Sequence, residues 1–268
     1  MTRPLGRNFL LFSGLLLLAG SMLQMNGGRR HPAITEDMGT FGSDEFMLSF
    51  AKLMVNEKDW QLYHEQMLAG PLLWAIGCWA VILLARQVGD SRWTPMGFIA
   101  LAMGAVLWVL TYMYDGWVSP ETAKALLAAQ GDETLAAAIT QTYASGQWFT
   151  IRVGIYSWLL VAFGTALLSI GVINLARSYS RGIGKPLAWF LGGFGLFLGL
   201  WSLVGWLSGN YYPGPMVSLW WLPANIATQF WFTGLSILVL LHAFGLHQRG
   251  DATPVSPAPT EQPVAERA

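Results

Sequence analysis

The sequence predicts an all-α, polytopic integral membrane protein: a six-transmembrane-helix bundle with short outward-facing helices in its first and third loops. Three observations predict it. The chain of 268 residues is 54% hydrophobic and only 11% charged, against roughly 25% charged in an average soluble domain. Its apolar residues are gathered into six runs of membrane-crossing length. The loops between those runs alternate in charge, as the positive-inside rule requires of a multi-pass protein.

Taken in order, the first run covers residues 8–25 (NFLLFSGLLLLAGSMLQM) behind Arg3 and Arg7. A basic start and an apolar run suit a signal peptide or a retained first span. The absence of a clear small-x-small cleavage site favours a retained span. Residues 27–68 are polar and acidic, and inside them Ser43 is placed to cap a helix with Asp44 and Glu45 in its first turn. Phe46, Met47, Phe50, Leu53 and Met54 recur at helical spacing, giving an amphipathic helix that lies in the membrane interface or covers the bundle.

The second span is expected over residues 69–86, with Pro71 in its first turn, where a helix needs no backbone donor. The third covers residues 96–114 and ends in a polar aromatic cluster of Tyr112, Tyr114, Asp115 and Trp117. In the next polar stretch, Ser119-Pro120-Glu121 is the order of an N-cap, a first-turn proline and a first-turn acid. Gly131 should end that helix, Asp132 and Glu133 should start another over 134–144, and Gly146 should stop it. The central span, residues 148–176, would be about 43 Å long as a helix, more than the ~30 Å hydrocarbon core needs. It carries a single charge, Arg152.

The fifth span, residues 186–207, has Gly195, Gly199 and Gly205, with Gly209 and Ser202, at spacings that allow close helix contact within the bundle. An uncharged Pro/Gly-rich aromatic loop leads to the sixth span, residues 223–246. Residues 250–268 hold four prolines and few apolar residues and are expected to be a disordered tail. The many tryptophans, fourteen in all, sit mainly near the ends of the runs, where an amphipathic ring suits the interface.

With six spans, Arg3, Arg7, Arg86, Arg92, Arg177, Arg181, Lys185 and Arg249 fall on one side, which is then cytoplasmic together with both termini. Eleven of the fifteen acids lie on the opposite side. The order of spans resembles the bacterial membrane family catalogued as domain of unknown function 4386. The similarity is carried by NFLLFSGLLLLAG, PLAWFLGGFGLFLGLWSL and LPANIATQFWFTGLSILVLLHAF. That resemblance implies a bacterial inner membrane and brings no known catalytic residues to carry over. The tryptophan content, the longer first outer segment and the proline-rich tail depart from the family pattern.

Several chemistries are excluded. Equal numbers of basic and acidic residues leave no net field for nucleic acid, and the lone Cys78 permits neither a disulfide nor a thiolate metal cluster. His64-Glu65 opens HEQML, but Leu68 stands where a zinc-protease motif needs its second histidine. His242 and His247, five residues apart, would lie about 140° apart on a helix and share no face. His31 and His64 sit at the other membrane surface, so haem is not expected. Neither a nucleophile elbow nor a phosphate loop occurs. The reading therefore carries no cofactor and no metal. Its partners are the lipid bilayer, with other membrane subunits or a second copy of the chain.

What remains is a polar rim near the outer leaflet: Arg152, Asp115, Tyr112, Tyr156, Glu65, His64, Asn225 and Gln229. Arg152 is expected to pair with Asp115 or Glu65 or to reach the headgroups. Two functions follow. One is a non-enzymatic structural or interaction component; the other is a small-molecule or lipid binder or transporter with an outward-facing pocket around Arg152. An enzyme acting on lipid or quinone would need His64, Glu65 or Asp115 as its base.

Overall fold

The computed structural model describes residues 5–90, 92–179, 182–208 and 221–247. Among them all regular structure is helical: α1 (Arg7–Arg30), a 3-10 turn (Glu36–Met38), α2 (Asp44–Asn56), α3 (Trp60–Gln87), α4 (Trp93–Met113), a π-helical turn (Tyr114–Val118), α5 (Ser119–Ala128), α6 (Glu133–Ser178), α7 (Gly184–Leu207) and α8 (Trp221–Ala243). Six helical stretches are long and apolar enough to cross a membrane. The tail beyond 250, Gly209, the aromatic loop before α8, and Arg3, Arg181 and Arg249 lie outside the described residues.

The six long helices form a ring in chain order. α1 packs on α3, α3 on α4, α4 on α6, α6 on α7, α7 on α8, and α8 closes the ring on α1. The interior is aromatic: Trp74, Trp158, Trp231 and Phe232 are fully buried, with Trp74 stacked on Phe232 at 4.5 Å and Trp108 edge-on to Trp158 at 4.8 Å. These tryptophans fill the core instead of the interface expected for them. Outside, Phe12, Ile76, Ile99, Met103, Phe163, Phe197 and Ile237 are exposed, the surface that a hydrocarbon solvent demands.

Small residues set the spacing of the ring. Gly97 and Gly164 face each other across α4 and α6, so that a Cβ on Gly164 would stand 2.6 Å from the Gly97 carbonyl. Gly20 and Gly70 meet in the same way across α1 and α3. Ser157 donates to the Gly104 carbonyl at 2.6 Å and Ser236 to the Gly14 carbonyl at 2.8 Å, satisfying polar groups where no water is available. On α7, Gly195 and Gly199 are occupied by Ser169, Trp231 and Ala166 of the same chain. α1 is thus a full member of the bundle.

Three helix boundaries differ from the sequence expectation. α3 begins at Trp60, not near residue 69, so Pro71 lies inside the helix. Its missing donor falls beside Gly70, at the tight crossing with α1. Gly146 does not stop a helix: α6 runs unbroken for 46 residues, about 69 Å. Glycine is needed there because the Tyr114 side chain fills the place of a Cβ. Nor does Ser119 cap a new helix, because α4 continues into α5 through the π turn and Ser119 accepts a hydrogen bond from Gln147 Nε2 at 2.7 Å. The wider turn accommodates Pro120, which cannot donate to the preceding helix.

α2 and α5 pack with the outer part of α6 into a second, separate core of Met38, Phe46, Met47, Phe50, Ala51, Met54, Trp60, Ala123, Leu126 and Tyr143. The apolar face of α2 therefore lies neither in lipid nor on the bundle; it builds a cap. Ser43 caps α2 as expected, accepting from the Phe46 N–H at 3.2 Å. Ser43→Ala should destabilise the cap by about 1 kcal/mol, seen as faster amide exchange in α2 with the bundle unaffected.

Candidate functional site

The site lies where the cap meets the bundle. Three helix ends converge there: the end of α1 at His31, the start of α3 at Trp60, and the π turn after α4. Five residues in the π turn replace the usual advance of an α-helix, and Asp115 swings toward α3. Gly116 makes this approach possible, since a Cβ on it would stand 2.7 Å from the Cβ of His64.

His64 is fully buried. Its Nδ1 lies 2.7 Å from the Trp60 carbonyl and its Nε2 lies 3.0 Å from Asp115 Oδ2. Trp60 braces the same turn from the other side, its indole N–H donating to the Asp115 carbonyl at 2.8 Å. Asp115 Oδ1 is buried and makes no hydrogen bond of ordinary geometry, although the Gln147 amide lies close enough to help His64 favour the ionised carboxylate. His31 completes the group, with its ring 5.1 Å from that of His64 and 4.7 Å from Trp60, and its Nδ1 2.9 Å from the Pro32 carbonyl. Burial pushes the His31 pKa down, against the pull of the Asp115 carboxylate, so its imidazole is held neutral. The floor is Tyr112, whose hydroxyl accepts from Gln24 Nε2 at 2.9 Å and whose ring is 6.1 Å from His64. Gln24 Oε1 is also buried without a partner.

Of the eight residues singled out from sequence, the structure brings His64, Asp115 and Tyr112 together. Glu65 is exposed, one helical step round from His64. Arg152 does not pair with Asp115 or Glu65: Asp115 is engaged by His64, and Arg152 is exposed with its guanidinium 5.8 Å from the Trp148 ring. Tyr156 is 55% exposed on the same helix and points away from the ring interior. Asn225 and Gln229 are near each other on α8, which packs on α1 and α7, with Gln229 Nε2 3.4 Å from Asn225 Oδ1. The pocket imagined around Arg152 is therefore not assembled. Arg152→Leu is expected to leave the Tm of purified protein within about 2 °C of wild type; a large loss would show a structural role that the exposed position does not.

His31, Trp60 and Gln24 were missed from sequence. Gln24 lies inside the apolar run that defined the first span, while α1 runs about a turn and a half beyond that run and so brings His31 to the level of His64. At the opposite end, His242 and His247 stack at 3.6 Å, contrary to the angular argument. The helix ends at Ala243 and Gly245, at φ +68°, turns His247 back. The Tyr179 hydroxyl is bonded to His242 Nε2 in the same group.

Fold and site together define a multi-pass α-helical membrane protein with a capped polar centre at one end of its bundle. No family model, curated protein or solved structure matches the chain.

Proposed function

We propose that the protein is a binding component of a bacterial inner membrane, in which an outward-facing cap closes over a polar centre built on His64 and Asp115, with both termini in the cytoplasm. The observation that carries this reading is the pair of a fully buried His64 and a partly buried Asp115, with the buried Oδ1 of Asp115 making no hydrogen bond. An unsatisfied buried acceptor costs about 1–3 kcal/mol, and more when charged. A purely structural component would gain nothing from keeping it, whereas a ligand supplies the missing partner. The outward orientation rests on charge: Arg7, Arg86, Arg92, Arg177 and Lys185 gather at the end away from the cap. Asp90, the acid among them, is used to cap α4, accepting from the N–H groups of Trp93 and Thr94 at 3.1 Å. The relationship to the 4386 family is part of this proposal and rests on the order of spans.

Two measurements test it. In a Cys78→Ala background, an impermeant maleimide should label Thr134→Cys in intact spheroplasts and Ile183→Cys only after permeabilisation. Native mass spectrometry of gently extracted protein should show a bound species that Asp115→Asn loses. Labelling of Ile183→Cys from outside, or an identical mass for both proteins, would overturn the reading.

A further inference from the structure

We infer that His31, His64 and Asp115 form a binding site for one divalent transition-metal ion. This deepens the reading above by naming the ligand, and depends on it only for the side of the membrane from which the ion arrives.

One ligand atom from each of the three residues lies within 4.8 Å of the others. Each imidazole has its Nδ1 against a backbone carbonyl, a contact that metal-ligating histidines commonly make. His64 Nδ1 faces the Trp60 carbonyl and His31 Nδ1 faces the Pro32 carbonyl, at 2.7 and 2.9 Å. A carbonyl only accepts, so each Nδ1 carries a hydrogen, and in the neutral ring Nε2 then keeps its lone pair for a ligand. This is the outer-shell bond that fixes the tautomer of a coordinating histidine.

The lone pair of His64 Nε2 then points at Asp115 Oδ2 across 3.0 Å. Two electron-rich atoms at that separation repel unless a positive charge lies between or beside them. A proton would satisfy that one contact and leave Asp115 Oδ1 and His31 Nε2 unused. A metal ion takes both imidazoles and the carboxylate at once. Ligands on a tetrahedral ion with bonds of about 2.1 Å are about 3.4 Å apart, so the His64 and Asp115 atoms, 3.0 Å apart, would part by about 0.4 Å to hold one. His31 is the ligand that must close; it caps the end of α1, where its side chain is the one of the three that is reached from outside the helices.

Two imidazoles and one carboxylate suit Zn(II), Co(II), Fe(II) or Ni(II) and not Mg(II) or Ca(II), which take oxygen ligands. Three protein ligands leave a coordination position open. Trp60 and Tyr112 wall the site and keep its dielectric low. His31 is half-buried and gives the ion its way in.

The test uses the full chain in detergent, stripped with a chelator and dialysed. Titration with Co(II) should give visible ligand-field absorption that saturates at one ion per chain, and reloading with Zn(II) should give one zinc per chain by elemental analysis. His64→Gln and Asp115→Asn should bind at least about tenfold more weakly. Because His64 is fully buried and Asp115 partly so, His31→Gln is the decisive variant: its helical circular dichroism should match wild type while Zn(II) no longer raises its Tm. Mg(II) should raise neither. Sub-stoichiometric Co(II) and Zn(II) in wild type, or unchanged binding in His31→Gln, would overturn the site. An organic molecule retained without metal would also overturn it while leaving the capped binding centre standing. A cap found on the cytoplasmic side would remove the proposed orientation and leave the metal result intact.

Discussion

Gly164→Val is expected to prevent α6 from seating on α4 and to abolish the yield of monodisperse protein. The reason is that the obstacle is backbone. A Cβ at this position would stand 2.6 Å from the Gly97 carbonyl and 2.7 Å from the Leu101 nitrogen, neither of which can rotate aside as a side chain does. Overpacking a core costs typically 1–3 kcal/mol where side chains adjust, and valine adds two methyl groups beyond that Cβ. In lipid the two helices gain nothing from hydrophobic burial against each other, so close packing is what holds them together. Size-exclusion profiles and thermal melts in detergent would report the loss. Gly193→Ala is the matched control: no atom lies within 4 Å of its Cβ position, and alanine in a helix interior is favoured by about 0.5–1 kcal/mol. A Gly164→Val protein that melts within about 2 °C of wild type would show that this crossing does not set the fold.

Trp60→Ala is expected to release the cap while leaving the bundle folded. Trp60 is 2% exposed and joins both parts: its ring packs against Phe50 of α2 at 5.9 Å, against His31 at 4.7 Å and against His64 at 4.8 Å, and its indole N–H holds the Asp115 carbonyl. Truncating a buried tryptophan costs about 3–5 kcal/mol. The cost falls on the smaller core, to which Trp60 belongs, and not on the larger one around Trp74 and Trp158. Amide exchange in α2 and α5 should accelerate by about 10²-fold or more, since each 1.4 kcal/mol is tenfold, while α7 and α8 keep their protection. Equal acceleration in every helix would mean that the two cores are one cooperative unit.

The spans were legible because lipid contact demands long apolar runs, and hydropathy measures that demand directly. The extents of α1, α3 and α6 were not. α3 starts nine residues before its apolar run at Trp60, and α6 starts at Glu133, because one face of the extra turns packs at the cap, through Trp60, Tyr63 and His64 in α3 and Thr140 and Tyr143 in α6. Gly146 and Ser119-Pro120 carry the local chemistry of helix ends, and tertiary contacts with Tyr114 and Gln147 override it. Within the site, His64, Asp115 and Tyr112 stood out as polar groups at span ends. His31 did not, since its place follows from α1 running on to Arg30. Arg152 drew attention as the charge in the central span, yet one residue on a long helix gives no information about the direction it faces. In the structure it faces outward over Trp148.

The length of α6 has a mechanical consequence. The helix contains no proline, runs without interruption from the cap to the far end of the bundle, and carries Tyr143 in one core and Trp158 in the other. Such an element behaves as a stiff beam. A tilt of about 5° along its roughly 69 Å moves one end about 6 Å relative to the other. A tilt of that kind driven from the cap would reappear at the opposite end of the bundle as a lateral shift, where Tyr179 meets His242 and His247.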